Sequence, residues 1–192
     1  MNDNTAKPID TAAAEQPLAP TNMTMLGDVV WLMAHSKLHR DWPIGSIFQW
    51  VVPAMLHKQC RLYRSDDGRP VAYVAWARMS REVEEAYVLN PRSLNPKDWT
   101  SGDRGWLVDW IAPFGHSAQV IQDLREGLFK DEVGRALRVK PGSDEMQIIY
   151  IHGANARARA QDTNLNPPVD LQGAALRAEQ RAQRSAEPGG EA

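Results

Sequence analysis

The sequence predicts an α/β fold, of the α+β type, in which helices pack on one central sheet. Segments with apolar residues at helical spacing alternate with strand-like segments, and Pro, Gly or Asp-Gly residues separate them. All fourteen Trp, Tyr and Phe residues lie between Trp31 and Tyr150. We therefore expect residues 25–153 to fold as one domain and residues 1–24 to be a disordered extension. Residues 154–192 should be a disordered or partly helical tail, and their composition favours disorder.

The first predicted elements are two helices. Apolar residues recur at helical spacing over residues 26–36. Pro43 and Gly45 then break the pattern, and Ser46 can cap a second apolar helix. Pro53 lies inside that second segment, where it either kinks the helix or moves its start.

A β-hairpin is predicted next, over residues 59–80, because two strand-like runs flank Asp67-Gly68. The segment 80–87 fits either a short helix or a third strand. The polar residues that follow, with two prolines and Gly102, indicate a loop.

The second half of the domain continues the same mixture of elements. Residues 104–114 form a strongly apolar run with one carboxylate, which is typical of a buried strand. Residues 116–129 repeat apolar side chains at helical spacing, and residues 135–141 and 146–153 are interpreted as two further strands.

Composition excludes several classes of protein. Residues 25–153 carry 16 Lys and Arg against 16 Asp and Glu. A protein that mainly binds nucleic acid normally has a basic surplus there, so we expect no nucleic-acid partner. Cys60 is the single cysteine, and it is interpreted as a buried small side chain rather than a nucleophile. No stretch approaches the length of a membrane helix and no signal peptide is visible, so a cytoplasmic protein is expected.

Two histidines four residues apart, His35 and His39, raise the question of a catalytic or metal site. The spacing suits a metal pair on a helix, but Ser36 follows His35 where a zinc protease has Glu, and no third ligand cluster is evident. Ser36 beside a histidine also suggests a nucleophile with its base, although it lies outside a Gly-x-Ser-x-Gly turn. A packing or capping histidine is the simpler interpretation.

Asp109 is the one carboxylate in the apolar run of residues 104–114. If that run is a central strand, the carboxylate requires a partner. One possibility is a structural salt bridge, and the other is a carboxylate that orients a histidine and stabilises its charged form. The separation between His39 and Asp109 in the sequence does not decide whether they meet.

Four separated motifs, in this order, resemble the RTX toxin-activating lysine acyltransferases. They are LGDVVWLMAHSKLHRDWPIGS, RPVAYVAWARMS, DWTSGDRGWLVDWIAPFG and RALRV, and they span about residues 25–140. The resemblance implies transfer of a fatty acyl group from acyl carrier protein to internal lysines of an RTX protoxin, in the cytoplasm. It also implies a fold similar to the GNAT acyltransferases, with a mostly antiparallel sheet, no cofactor, and a possible homodimer. On this basis residues 25–153 are interpreted as the acyltransferase domain.

The same resemblance implies roles for individual residues. His39 falls on the family's essential histidine, Asp109 on its essential aspartate, and Ser36 on a supporting serine, whereas His35 has no counterpart. Arg138, with Arg135 and Lys140, is a further supporting candidate because the three could form a docking patch for the acidic carrier protein. A solvated strand face is an equally good interpretation of these three residues.

Two further expectations concern the donor. The Gln/Arg-x-x-Gly-x-Gly/Ala turn that binds the pyrophosphate of coenzyme A in typical GNAT enzymes is missing, which favours a carrier-protein donor. The acyl chain is expected in an apolar slot formed by Ile47, Phe48 and Val51 with the strand at residues 106–114. The alternative function is a catalytically inactive GNAT-like module that binds a carrier protein or a secreted partner. Only the enzyme requires His39 and Asp109 to lie side by side.

Overall fold

The computed structural model describes residues 18–139, 146–163 and 167–186, in which helices pack on a five-stranded sheet. The helices are α1 (Pro20–His35), α2 (Ser46–Trp50), α3 (Val52–Leu56), α4 (Arg81–Leu89), α5 (Ser117–Asp123), α6 (Arg157–Gln161) and α7 (Leu171–Ala186). The strands are β1 (Cys60–Arg64), β2 (Pro70–Met79), β3 (Arg104–Ile111), β4 (Val133–Val139) and β5 (Met146–His152). Short 3-10 turns cover Pro91–Ser93 and Pro96–Trp99, and a π-helical segment covers Leu124–Leu128. The predicted α/β class is confirmed.

The strands lie side by side in the order in which they occur in the chain. Three of the four neighbouring pairs are antiparallel, and only β3 and β4 are parallel. The mostly antiparallel sheet that the resemblance implied is therefore present, and the arrangement is consistent with a GNAT-like fold.

Local sequence explains where the helices begin. The predicted second helix is two short ones, because Pro53 lies in the first turn of α3, where its missing N–H costs no helical hydrogen bond. The segment 80–87 is helical rather than extended. The Ser80 hydroxyl accepts a hydrogen bond from the Val83 N–H at 3.3 Å and so caps α4.

The predicted hairpin consists of β1 and β2, and Gly68 has a φ of +84° in the turn between them. Where β2 pairs with β3, the register shifts by one residue: Ala75 lies opposite Asp109, whereas Trp76 lies opposite Leu107. Val108 is the extra residue of this bulge. Because a bulge interrupts the regular alternation of faces, Asp109 and Trp106 share one face although they are three residues apart.

Two apolar clusters cover the two faces of the sheet. The larger one packs α1–α4 on the sheet and includes fully buried side chains such as Val29, Leu32, Tyr73 and Trp99. A smaller one lies under α5 on the opposite face; its buried members are Ala72, Val74, Val120 and Leu124. Asp109 lies on the face of the larger cluster, which also holds α1.

The tail contains two helices, α6 and α7, although its composition favours disorder. Helix α7 packs on α4, where Ala174 is buried and Arg177 forms an ion pair with Glu85 at 2.8 Å. Residues 1–17 and 187–192 lie outside the described residues, so the predicted domain boundaries stay predictions. None of the helices in the described segments combines the length and the apolar character that crossing a membrane requires.

Candidate active site

His39 lies in a tight turn directly after α1. Ser36 ends the helix, and its carbonyl accepts hydrogen bonds from the N–H groups of His39 and Arg40 at 3.1 and 3.0 Å. The His39 carbonyl in turn accepts from the Trp42 N–H at 2.9 Å. These backbone bonds hold the side chains of Ser36 and His39 next to each other, and Ser36 Oγ lies 2.7 Å from His39 Nδ1.

Asp109 reaches the same point from the bulge in β3. Its Oδ1 lies 2.8 Å from His39 Nε2, and the two side chains are 5% and 1% exposed. The structure therefore brings together His39, Asp109 and Ser36. The pair is buried, and each side chain supplies the polar partner that the other requires.

The hydrogen-bonding pattern assigns the tautomer of His39. A carboxylate only accepts, so a neutral imidazole donates its Nε2–H to Asp109. Nδ1 then carries the lone pair and accepts the hydroxyl hydrogen of Ser36. The nitrogen that can take up a proton thus faces Ser36, which is half-buried and separates it from solvent.

The carboxylate of Asp109 has one further donor and one open oxygen. Oδ1 also accepts the backbone N–H of Trp110 at 2.8 Å, while Oδ2 is buried without a hydrogen-bond partner among the described residues. Burial raises the pKa of Tyr73 well above its usual value, and its neighbours Cys60 and Asp109 raise it further. Burial, followed by the charge of Asp109, also raises the pKa of Tyr87. Both phenols stay protonated near a charged carboxylate.

The aromatic side chains around the pair were not predicted from the sequence. Tyr73 alternates with its neighbours as any core residue of a strand does, and nothing in the sequence distinguishes it. Trp42 packs on the imidazole of His39 with ring centroids 4.6 Å apart. The one sequence signal for this contact is the position of Trp42 three residues after the histidine. Cys60 is a protonated thiol because burial raises its pKa, which agrees with the interpretation as a small apolar side chain.

The side chain of His35 makes its contacts with residues other than Asp109. Its Nδ1 hydrogen-bonds the Trp31 carbonyl at 2.8 Å, and its ring contacts Trp31 and Phe114 at centroid distances of 4.3 and 5.4 Å. The two histidines therefore do not converge on one point. In the segments that the structure describes, no three His, Cys, Asp or Glu side chains are placed to hold a metal ion.

Of the two residues of the predicted basic patch that the structure describes, one is exposed and the other is buried. Arg138 is exposed near the end of β4, but Arg135 is buried, lies 3.4 Å from Glu84 and donates to the Pro167 carbonyl at 2.9 Å. Residues three apart in a strand point to opposite faces, so the two arginines cannot form one patch. Lys140 lies outside the described residues.

The structure places the three helix residues of the expected acyl slot in different environments. Ile47 and Val51 are buried in the larger core, and only Phe48 is exposed. The acyl slot at these residues therefore stays a prediction.

Comparison with known proteins places this geometry in context. Residues 19–152 match the model of the RTX toxin acyltransferase family. An RTX-II toxin-activating lysine-acyltransferase of Actinobacillus pleuropneumoniae is 41% identical over 133 residues, which are 69% of this chain and 82% of that protein. A protein-lysine myristoyltransferase of Kingella kingae is 42% identical, over 70% of this chain and 79% of that protein. One of Escherichia coli is 44% identical, over 68% of this chain and 76% of that protein.

Proposed function

This chain belongs to the RTX toxin acyltransferase family, and we propose on that basis that it is a protein-lysine acyltransferase. It activates an RTX protoxin by transferring a fatty acyl group to internal lysine side chains. The observation that carries this proposal is the buried His39–Asp109 pair, with Ser36 on the side from which a substrate can approach. Acyl carrier protein is the proposed donor, and the cytoplasm the proposed compartment.

The chemistry begins with the acceptor lysine. A free lysine has a pKa of about 10.4, so it reaches the enzyme as an ammonium ion and must lose a proton before it can attack a thioester. His39 is the base. Its Nδ1 lone pair is reached through Ser36, so the hydroxyl passes its own proton to Nδ1 and takes one from the substrate nitrogen.

The transfer step then uses the same residues. The lysine nitrogen bonds to the acyl carbon, and the carbon–sulfur bond to the pantetheine thiol breaks. The imidazolium of His39 returns its proton to the departing thiolate. The neutral imidazole then takes the second proton of the lysine nitrogen, by the same route through Ser36, and releases it to solvent as the amide forms. Asp109 stays ionised throughout, because its negative charge 2.8 Å from Nε2 stabilises the imidazolium while it exists.

Burial strengthens this arrangement. The pair lies out of water, where the attraction between imidazolium and carboxylate is screened much less than at the surface. Trp42 on one side of the imidazole limits the entry of water. An inactive binding module would have no use for a buried base whose proton-accepting nitrogen is directed at a half-exposed serine, so the enzyme is the better proposal.

The partners follow from the same proposal. Arg138 is exposed and remains a supporting residue for docking of the acidic carrier protein. A homodimer is also proposed, since Phe48 on α2 and Met146 and Tyr150 on the edge strand β5 expose large apolar side chains. The acyl group arrives on its carrier, and the proposal includes no bound cofactor or metal.

One experiment tests the function directly. The protein is incubated with acyl-loaded carrier protein and a candidate RTX protein, and acylated lysines are sought by mass spectrometry. The His39→Ala variant serves as the matched control because it removes the base. Circular dichroism checks that this variant is folded, since it leaves the buried Asp109 carboxylate without its partner. Acyl-lysine that forms equally with both proteins would refute the proposal, and so would its absence with every acyl donor and RTX protein tested.

A further inference from the structure

The last part of the described chain, residues 167–186, is bound to the sheet through its backbone; we name it the C-terminal arm. Arg135 donates to the Pro167 carbonyl at 2.9 Å, and the Tyr150 hydroxyl accepts the Val169 N–H at 3.0 Å. Arg135 and Tyr150 lie opposite each other on β4 and β5. Every residue has a carbonyl group and all but proline have an N–H, so this pair of side chains can bind an extended segment largely regardless of its sequence.

The beginning of the arm binds in the manner of a peptide ligand. Residues 167–170 precede α7 and belong to no helix or strand. Pro167 and Pro168 restrict φ and favour an extended backbone. The side chain of Val169 packs against the larger apolar cluster. One carbonyl, one N–H and one apolar side chain therefore contact the domain, which is how extended peptides are commonly recognised.

A charged contact holds the helix of the arm. The side chain of Glu85 on α4 is 8% exposed. Arg177 Nη2 lies 2.8 Å from Glu85 Oε1, and Arg177 Nε donates to Oε2 at 3.0 Å. Arg181 Nη2 lies 3.6 Å from the same Oε2. A carboxylate with so little access to water requires a cation, so Glu85 selects a positively charged side chain at this position.

Apolar burial contributes little to the docking of α7. Ala174 is buried, but Leu171 and Leu176 each leave at least half of their surface in water. The side chains of Arg177 and Arg181 are 41% and 54% exposed, and ion pairs with such exposed partners contribute little to stability. The arm can therefore leave the surface of the domain while the core stays folded.

The surface under the arm lies on the same face of the sheet as the catalytic pair. Arg135 lies opposite Trp106 on β3. Both side chains contact Glu84 of α4, at 3.4 Å from Arg135 and 2.9 Å from Trp106. Trp106 and Asp109 share that face because of the bulge in β3. A polypeptide bound in place of the arm would therefore lie on the face that carries Asp109.

We propose that the C-terminal arm occupies, within its own molecule, a docking surface for the protein substrate. The surface consists of Glu85, Arg135 and Tyr150, and it takes an extended substrate segment followed by a basic side chain. This proposal rests on the proposed function and concerns how the RTX protein is held. The three residues lie within the part of the chain that matches the family, whereas the arm lies outside it. Because the arm must leave before the substrate docks, it lowers the apparent affinity for the substrate.

The first test releases the arm and leaves the docking surface intact. Arg177→Glu places a negative charge beside Glu85, so the arm should detach. Hydrogen exchange of the amides in residues 171–181 should then become about tenfold faster or more. The affinity for the RTX protein of the transfer experiment, measured by isothermal titration calorimetry without an acyl donor, should rise about tenfold. Both measurements use the full chain.

Two further variants separate docking from a general effect of charge. Arg159→Glu makes the same change of charge at an exposed residue of α6 that is not an ion-pair partner of Glu85 in the described structure. It should leave hydrogen exchange and affinity at their wild-type values. Glu85→Gln also loosens the arm, but it removes the carboxylate that the substrate cation requires. Its affinity for the RTX protein should therefore not exceed that of the wild type.

The two proposals fail in different ways. If the wild-type protein acylates lysine but Arg177→Glu frees the arm without raising the affinity, the arm only braces the fold and the function stands. If Arg177→Glu leaves the exchange of residues 171–181 unchanged, the contact with Glu85 does not hold the arm and the docking proposal is wrong. If no lysine is acylated with any donor and Arg177→Glu still binds the RTX protein more tightly, the docking surface is supported and the proposed transfer is wrong. Circular dichroism checks that each variant is folded.

Discussion

At the scale of single residues, we expect the negative charge of Asp109 to contribute more to the acyl-transfer rate than the shape of its side chain does. Asp109→Asn keeps the size of the side chain and leaves no uncompensated charge in the core, so the fold should persist. It removes the charge that stabilises imidazolium, and its amide can hold the wrong tautomer of His39. We expect the acyl-transfer rate to fall by about 10²–10⁴-fold, with an unchanged circular dichroism spectrum.

The double variant Asp109→Asn with His39→Ala completes this prediction. If the pair acts as one unit, the double variant should transfer acyl groups little more slowly than His39→Ala alone. Rate losses that multiply would show that the two residues act independently. An Asp109→Asn protein that unfolds would instead assign Asp109 a structural role.

Ser36→Ala should have a smaller effect than either of these changes. The hydroxyl lies 2.7 Å from Nδ1 and relays the proton in the proposed mechanism. A water molecule can enter the space that it leaves at this half-buried position. We expect a loss of about 10–100-fold in transfer rate, against about 10²–10⁴-fold for His39→Ala. Steady-state rates with one acyl donor compare the two variants. A loss as large as that of His39→Ala would mean that Ser36 is a nucleophile.

At the scale of secondary-structure elements, β4 presents two arginines in different settings. Arg138 is exposed, and Arg138→Glu should raise the apparent Michaelis constant for carrier protein in a manner that weakens with added salt. The midpoint of thermal unfolding should not change in this variant. Arg135→Ala is the comparison, because it removes a buried partner of Glu84 and should lower the unfolding midpoint. If Arg138→Glu leaves the apparent Michaelis constant for carrier protein unchanged, the docking role is contradicted.

The elements also show where sequence patterns are informative. Regular alternation around Asp67-Gly68 was sufficient to predict β1 and β2, and a run of apolar residues was sufficient for β3. The bulge at Val108 was not predictable, because the pairing of two strands, and not either sequence alone, decides where an extra residue is accommodated. The contact between His39 and Asp109 depends on that bulge. Resemblance could therefore suggest that His39 and Asp109 meet, whereas their spacing in the sequence could not.

At the scale of the whole molecule, the tail is the part that composition described least well. Residues 167–186 contain few large apolar side chains, yet α7 uses Ala174 and the Arg177–Glu85 ion pair to pack on α4. Alanine-rich helices bury little area, so hydropathy does not reveal such packing. The larger core, by contrast, lies within the residues that carry the aromatic side chains.

Shortening the chain to residues 18–153, which keeps all of α1, should leave a cooperative thermal transition. The composition predicted such a transition for residues 25–153. The residues that form the sheet and both apolar clusters stay in place, apart from Val169, which packs against the larger one. The midpoint should fall by several degrees, since loss of about 1 kcal/mol shifts a domain of this size by about 3–6 °C. Differential scanning calorimetry of the two proteins measures the shift. Absence of a cooperative transition would show that the tail is part of the folding unit.

The two-residue contact between β3 and β4 has a consequence for how the molecule opens. β1–β3 and β4–β5 are each joined by long antiparallel ladders. Within the described part of the sheet, the backbone pairing between these two groups is limited to the short parallel contact at Trp106 and Leu107. The two ladders should therefore behave as separate cooperative units in native-state hydrogen exchange, with the β4–β5 amides exchanging through a lower-energy opening than those of β2. If all five strands share one exchange free energy, the sheet opens as a whole. If they do not, the chain can part along this seam without unfolding the strand that holds Asp109.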